Sequence, residues 1–522
     1  MRLLVFHGYL LRGTGSNVYN ASLARALVAL GHEVHLLCQE RSAEALPWVE
    51  ATGDWDGGAL RVRSRADHPR LTVYRPDIGR VLPLYVPDEY EGFDAKPYPD
   101  LTEAELDAYL RANVAAVRDV VERANIEVAL ANHLVMGPTI LARALEGAVP
   151  YVVKVHGSAL EYTVRPHPER FLPFAREGLG PARAVLVGSR HTAESLWQLM
   201  DDEGLEERTR LGPPGVDTGA FRPRPAREAA EALERLADRV EGATASWGGE
   251  AGAADALRSI DPRGEPVVSY VGKLIVSKGV DLLLVAWPLV VGAVPEARLC
   301  VVGFGTYREG LLRLLAALAS ADLDAAREVA RRGRELEGGP AGELTHLAAF
   351  LDRLEGESRE HYLACAPDAA ARVVFTGRLE HEDLPDLLCG SLAQVVPSTF
   401  PEAFGMVAAE AAACGALPLS ASHSGLAEVT DVLRHALPES LHELLSFSRG
   451  PGAVEEIAER LVRWLTLDPA ERDRARAALA ELARERFGWE HVAAGVVAGA
   501  LGRLSELPQA REVRPSPGGA RG

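Results

Sequence analysis

Glu402 and Glu410 lie in the stretch Pro397 to Gly415, on either side of a sequence that starts a helix. Pro401 and Gly405 interrupt regular structure, and the Ala-rich run from Met406 to Cys414 then has strong helix propensity that Gly415 can end. The composition predicts a helix beginning near Phe404. Its unpaired amides and positive dipole end would meet an anion beside Glu402, with Glu410 about two turns on, roughly 9 Å up the axis. A sugar bonded by Glu402, a diphosphate on the amides of Phe404, Gly405, Met406 and Val407, and a ribose bonded by Glu410 would together make a nucleotide-sugar site.

Other segments carry matching chemistry. Lys273 and Lys278 sit on a turn between a buried strand and the next helix, where two ammonium groups could neutralise a diphosphate leaving group as its charge grows. Gly13 and Gly15 follow the first strand and open a helix, so backbone amides there can approach an oxyanion. A glycine-rich turn in that place also suits a dinucleotide, but Val18 occupies the position of that fingerprint's third glycine. His156, beside Gly157, ends a strand where open parallel sheets bind ligands, and suits hydrogen bonding to a sugar or an acceptor. Asn132, His133, Ser189 and Arg190 end strands in the same way, and Ser189 also reads as a helix N-cap. Two Asp-X-Asp pairs raise the question of a metal. Asp54 and Asp56 read as a Gly-rich loop and Asp322 and Asp324 as a helical insertion, so neither follows a strand, and no metal or other cofactor is expected.

These residues must be held by two parallel sheets. Leu3 to Phe6, Glu33 to Leu37, Val128 to Ala131, Tyr151 to Val155 and Ala184 to Val187 alternate with helical patterns, and a second series begins at Val267 and runs to Leu417–Ser420. At 522 residues the chain is too long for one core. The predicted division is an N-terminal Rossmann-like domain over 1–215, a second over 216–487 with helical insertions near 227–263 and 311–368, a helix over 488–507 that crosses back, and a disordered tail over 508–522. The insertions read as solvated helices decorating the second domain.

The net charge of -18 argues against a nucleic-acid partner. A local run, Arg61, Arg63, Arg65, Arg70, Arg75 and Arg80, reads mainly as a solvated strand and loop, and keeps an anionic acceptor in play. Five scattered cysteines without metal-ligand spacing fit a reducing, cytoplasmic setting. No apolar run is long enough for an integral membrane segment, which leaves peripheral contact open.

The Glu402 to Glu410 segment resembles the donor-site signature of retaining glycosyltransferases of family 4 with the GT-B fold. Pro397-Ser398, the Pro401 to Gly405 turn and Ser424 to Val429 resemble the family pattern in order and spacing. The resemblance runs from Gly13 to Trp489 and implies an α/β protein whose two Rossmann-like domains face each other across a catalytic cleft. It further implies hexosyl transfer from a nucleotide diphosphate sugar to a sugar, glycan, sugar phosphate or lipid glycan precursor. His156 would lie near the reacting sugar, Glu402 with Lys273 and Lys278 would act on sugar and leaving group, Gly303 would line the donor site, and the backbone at Arg378 and Leu379 would face the base. Lys273 stands where the family usually has arginine, and Phe304 where Asp is common. Neither the sugar, the base, the acceptor nor the oligomeric state follows from the sequence. A GT-B phosphorylase, a sugar-nucleotide epimerase and a non-catalytic scaffold are the alternatives.

Overall fold

The structure, a computed structural model, describes residues 1–12, 15–85, 92–242 and 250–511. The chain divides into two compact units, Met1–Gly215 with Trp489–Gly522, and Val216–Gly488.

The first unit is built on a nine-stranded sheet. Its order is Thr209–Leu211, Ala184–Val187, Tyr151–Val155, Val128–Asn132, Arg2–Phe6, Glu33–Leu37, Leu71–Arg75, Ala51–Asp56 and Ala59–Ser64, with only the last pairing antiparallel. The central strands are short apolar runs because helices cover both faces and leave no side for polar residues. Arg2–Phe6 pairs with Glu33–Leu37 on one side and Val128–Asn132 on the other, and the winding direction reverses between Arg2–Phe6 and Val128–Asn132. The loops leaving those two strands carry His7 and His133, at the kind of switch point where doubly wound sheets take ligands. Helix Trp489–Ala500 belongs to this unit. It buries Val492, Ala493 and Val496 in the cluster that includes Val152 and Ala184, and Trp489 meets Tyr19 with ring centroids 5.4 Å apart.

The second unit carries six parallel strands in the order Val373–Gly377, Arg298–Val302, Val267–Val271, Ala393–Val396, Leu417–Ala421 and Ser446–Phe447. Counted along the unit, this is the 3-2-1-4-5-6 winding of a dinucleotide fold. Its switch point lies between Val267–Val271 and Ala393–Val396. The loop after the first carries Lys273 and Lys278, and the loop after the second carries Glu402.

Several sequence expectations are corrected. Asp54 and Asp56 lie on strand Ala51–Asp56, not in a loop; Gly57 and Gly58 make the turn of a hairpin. The arginine run, by contrast, is the solvated strand and loop region expected: Arg61, Arg63, Arg65, Arg70 and Arg80 are exposed, and their partners lie within the unit. Arg75 binds Asp54 and Glu44 at 2.7 and 2.6 Å, Arg65 donates to the carbonyls of Glu44 and Leu46, and Arg61, Arg63 and Arg80 pair with Asp56, Asp54 and Asp94. The inserted stretches are not mere decoration. Helix Ala226–Gly242 buries Leu233 and Leu236, and Gly356–Ala371 packs on the helix Val280–Ala293, apolar except for Asp281, where Tyr362 Oη donates to Val285 O at 2.9 Å. The start of the expected disordered tail is ordered: Leu211 N–H donates to Pro508 O at 2.9 Å, Gln509 bridges to Arg210, and Ala510 is buried. Residues 512–522 lie outside the described part.

Candidate active site

In the second unit, Glu402 is fixed from three sides. Lys278 Nζ forms an ion pair with Glu402 Oε1, Ser398 Oγ donates to the same oxygen at 2.7 Å, and the Glu402 amide donates to Ser424 Oγ at 2.8 Å. His423 completes the cluster, with Nε2 2.7 Å from Ser398 O and Nδ1 3.0 Å from Ser424 Oγ. Partial burial pushes the Glu402 carboxyl up, but the charge and hydrogen bond of Lys278, helped by Ser398 and His423, outweigh it and hold the pKa below the ordinary carboxylate value. Glu402 is therefore a charged, oriented acceptor at neutral pH. Lys273 is exposed and pairs with no carboxylate among the described residues.

The helix begins two residues later than expected, at Met406, with Gly405 as its N-cap at φ 102°. The amides of Met406 and Val407 are thus in its first turn. Phe404 lies before the helix, its ring buried edge-on against Phe487 at 5.7 Å. A side chain on Gly405 would run into Leu426, so glycine serves both the positive φ and the close packing there.

Glu410 is 2% exposed and meets a residue that sequence reading missed: its Oε1 lies 2.7 Å from His381 Nε2. Burial works against a charged His381 imidazole, but the hydrogen bond and charge of Glu410, with Asp217 and Glu382 nearby, raise its pKa above the ordinary value. Phe221 packs against the His381 ring, centroids 5.3 Å apart. Gly303 and Gly305 are required by backbone approach: a Cβ on either would strike the carbonyl of Gly272 or Leu274. Arg378 pairs with Glu380 at 2.9 Å and lies over the Phe304 ring, 5.7 Å from its centroid. Arg378 and Leu379 line a pocket of about 840 Å³ together with Arg239, Glu250, Asp383 and Asp386.

The first unit holds a different assembly. His156 Nε2 lies 3.0 Å from Asn132 Oδ1, and Asn132 Nδ2 donates to Phe6 O at 3.1 Å and Asn20 Oδ1 at 2.7 Å. Asn20 Nδ2 in turn donates to His7 Nδ1 at 3.0 Å, and His7 Nε2 faces Asn17 Oδ1 at 2.9 Å and Leu10 O at 3.0 Å. This chain fixes the tautomers. His7 accepts at Nδ1 and donates from Nε2, and His156 donates from Nε2 to Asn132, which leaves its Nδ1 lone pair without a partner among the described residues. Burial lowers His7 to about 4 and, with its charged and imidazole neighbours, holds His133 and His156 well below the ordinary histidine value, so the three rings are neutral at pH 7. His133 stands at φ 69°, its two ring nitrogens buried without hydrogen-bond partners among the described residues, and its ring packs 4.4 Å from Tyr85 and 4.8 Å from His156. Lys154 is buried below, donating to Gly212 O, and desolvation lowers its pKa to about 7.

Gly13 lies outside the described residues. Gly15 opens helix Gly15–Ala29 with open space where a Cβ would be, so packing does not demand a glycine there. Ser189 caps helix Arg190–Met200 through the Thr192 amide at 3.2 Å. Asp322 caps Leu323–Arg332. Among the described residues no cluster of three or more His, Cys, Asp or Glu is arranged to hold a metal ion, and no helix is long and apolar enough to cross a membrane.

Two family profiles match the chain, the second of them spanning Glu402 and Glu410. A profile described as glycosyl transferase 4-like domain matches residues 14–215, and one described as glycosyl transferases group 1 matches 348–481. Together these matches indicate a glycosyltransferase of the 4-like kind, and the chain has the GT-B fold. It is similar to the D-inositol 3-phosphate glycosyltransferase of Frankia alni, at 24% identity over 499 residues, 92% of this chain and 93% of that one. Among solved structures, sucrose-phosphate synthase from Thermosynechococcus elongatus aligns with TM-score 0.54 and 19% identity over 97% of this chain and 98% of its own. Anabaena HepE in complex with UDP-glucose aligns with TM-score 0.54 and 17% identity over 97% of this chain and 100% of its own.

Proposed function

We propose that this glycosyltransferase moves a hexosyl group from a nucleoside diphosphate sugar to a hydroxyl, with retention at the anomeric carbon and without a metal ion. The observation that carries the reading is the Lys278–Glu402 pair at the second unit's switch point, beside the first turn of helix Met406–Ala413. Glu402 accepts from hydroxyls of the transferred sugar, the amides of Met406 and Val407 meet the phosphates, and Lys278 with Lys273 balances the charge that grows on the leaving diphosphate. Glu410 and His381 serve the ribose, and the backbone at Arg378 and Leu379 the base. His156, neutral and with Nδ1 unpartnered, accepts from a hydroxyl of the sugar or of the acceptor.

In the transfer step the acceptor oxygen bonds to the anomeric carbon on the face from which the diphosphate departs. The carbon–oxygen bond to the phosphate breaks, and the acceptor's proton passes to the departing phosphate oxygen, so no protein nucleophile is required. Relatives named for D-inositol 3-phosphate favour a polyol phosphate as the acceptor to try first.

The test is a screen for nucleotide release from uridine, guanosine and adenosine diphosphate sugars, with EDTA present and inositol phosphates, free sugars and sugar phosphates as acceptors, followed by NMR of the product's anomeric configuration. Turnover of one donor in EDTA with retained configuration is expected. Inverted product overturns the proposed step, and loss of turnover in EDTA that a divalent ion restores overturns metal independence. A phosphorylase would instead consume inorganic phosphate, and an epimerase would change the donor without any acceptor.

A further inference from the structure

The turn that presents Lys278 is held by a residue from the inserted stretch. The one-turn helix Val276–Lys278 has Ile275 at its N-cap, whose side chain supplies no hydrogen bond to the turn's first amide. The Val276 N–H donates instead to Glu337 Oε2 at 2.8 Å, across 61 positions of sequence. Glu337 closes the short helix Arg334–Glu337, and its side chain is 15% exposed, with Arg334 Nη1 3.7 Å away. On its other side the same turn is bound to the loop of Glu402. Ser277 O accepts from the amides of Thr399 at 2.9 Å and Phe400 at 3.3 Å and from the Thr399 hydroxyl at 3.2 Å. Gly279, at φ 65°, lies so close to Pro397 O that a Cβ would strike it. The turn is therefore clamped between the insertion and the carboxylate loop, and Lys278 projects from the clamped segment onto Glu402.

We infer that Glu337 is a positioning residue for the donor diphosphate: by capping the Val276 amide it fixes the turn that places the Lys278 ammonium. The insertion then belongs to the donor machinery. A cap from a distant carboxylate does what Ile275 cannot, satisfying an amide that a short helix leaves unpaired. The inference rests on the assignment of Lys278 to the diphosphate.

The experiment measures binding of UDP, GDP and ADP, and of the matching monophosphates, by calorimetry to the full chain and to its Glu337→Ala, Glu337→Asp, Glu337→Gln and Lys278→Ala variants. Glu337→Ala is expected to weaken the tightest diphosphate about tenfold, the effect of one lost charged hydrogen bond, while its monophosphate changes less than about twofold. Glu337→Asp keeps the charge but falls a methylene short, and should follow Ala. Glu337→Gln retains an oxygen for the Val276 amide and should stay near the parent, so the inference is tested even if the alanine variant does not fold. Glu337→Ala and Glu337→Asp binding like the parent while Lys278→Ala loses affinity overturns the inference, as does equal weakening of mono- and diphosphate. Unchanged binding by Lys278→Ala, or a parent chain that binds none of the diphosphates, overturns the assignment of Lys278 beneath it.

Discussion

The two units use one winding scheme and put opposite chemistry at the reversal of their sheets. In the second, the loops leaving the switch-point strands carry Lys273, Lys278 and Glu402, with Glu402 held in its charged form by Lys278, while the His381–Glu410 pair joins the turn after the edge strand Val373–Gly377 to helix Met406–Ala413. In the first, the same places carry His7, His133 and, one strand over, His156, neutral rings joined through Asn20 and Asn132. The contrast teaches that the fold fixes where a ligand goes, while the loop residues fix what it is. Fixed charge suits a diphosphate whose charge grows during reaction, and neutral donors and acceptors suit a hydroxyl.

The largest expected effect falls on the charged side. Glu402→Ala should lower kcat/KM about a thousandfold and Lys278→Ala about a hundredfold, measured by steady-state kinetics with the donor varied. On the neutral side, His156→Ala should cost about a hundredfold, with His156→Gln costing less. The parent and His156→Gln should share one profile shape from about pH 6 to 8, because the ring is already neutral there. A histidine inflection that disappears in the Gln variant would break the contrast.

Each unit also buries a charge of opposite sign, and the two should respond to pH in mirror image. Asp281 titrates at about 7 instead of 3.8 because burial penalises its charge, so the folded state loses stability as pH rises through that window. Lys154 titrates at about 7 instead of 10.5, so stability is lost as pH falls from the ordinary lysine range. Thermal melts of Asp281→Asn should gain most at pH 8 and least at pH 5, and those of Lys154→Met most at pH 6 and least at pH 10, each by on the order of 1–3 kcal/mol. The smallest effect belongs to His381. Its raised pKa gives stability that is full below the ordinary histidine value and fades as pH rises through the folded one, so His381→Ala should cost about 1 kcal/mol more at pH 5.5 than at 8.5.

The sheet centres were legible in the sequence because their strands are short, mainly apolar runs alternating with helical patterns. Glu33–Leu37, Tyr151–Val155, Ala184–Val187 and Val267–Val271 match their predicted bounds. The edge hairpin Ala51–Ser64 escaped because charged residues interrupt its strands, although Gly57-Gly58 between them is a hairpin signal. Glu402 and Lys278 could be singled out because each follows a strand in a contiguous motif, and the structure brings them together. His381 and Glu337 could not, since each meets its partner across a distance that no local pattern encodes. His7 was passed over as the end of a buried strand; a histidine at that strand's carboxyl end, before Gly8, was the signal available.

Helix Trp489–Ala500 gives the chain a constraint on its own synthesis. The first unit's sheet is complete once Thr209–Leu211 is made, yet the part of one face formed by Val128–Asn132, Tyr151–Val155 and Ala184–Val187 waits for helix Trp489–Ala500, which arrives almost three hundred residues later. Through the whole translation of the second unit, a first unit already made lacks the helix that packs on Val152 and Ala184. The two halves are thereby made to finish together: a chain stopped early, however sound its donor unit, leaves its partner an aggregation hazard, and quality control can read both from one missing helix.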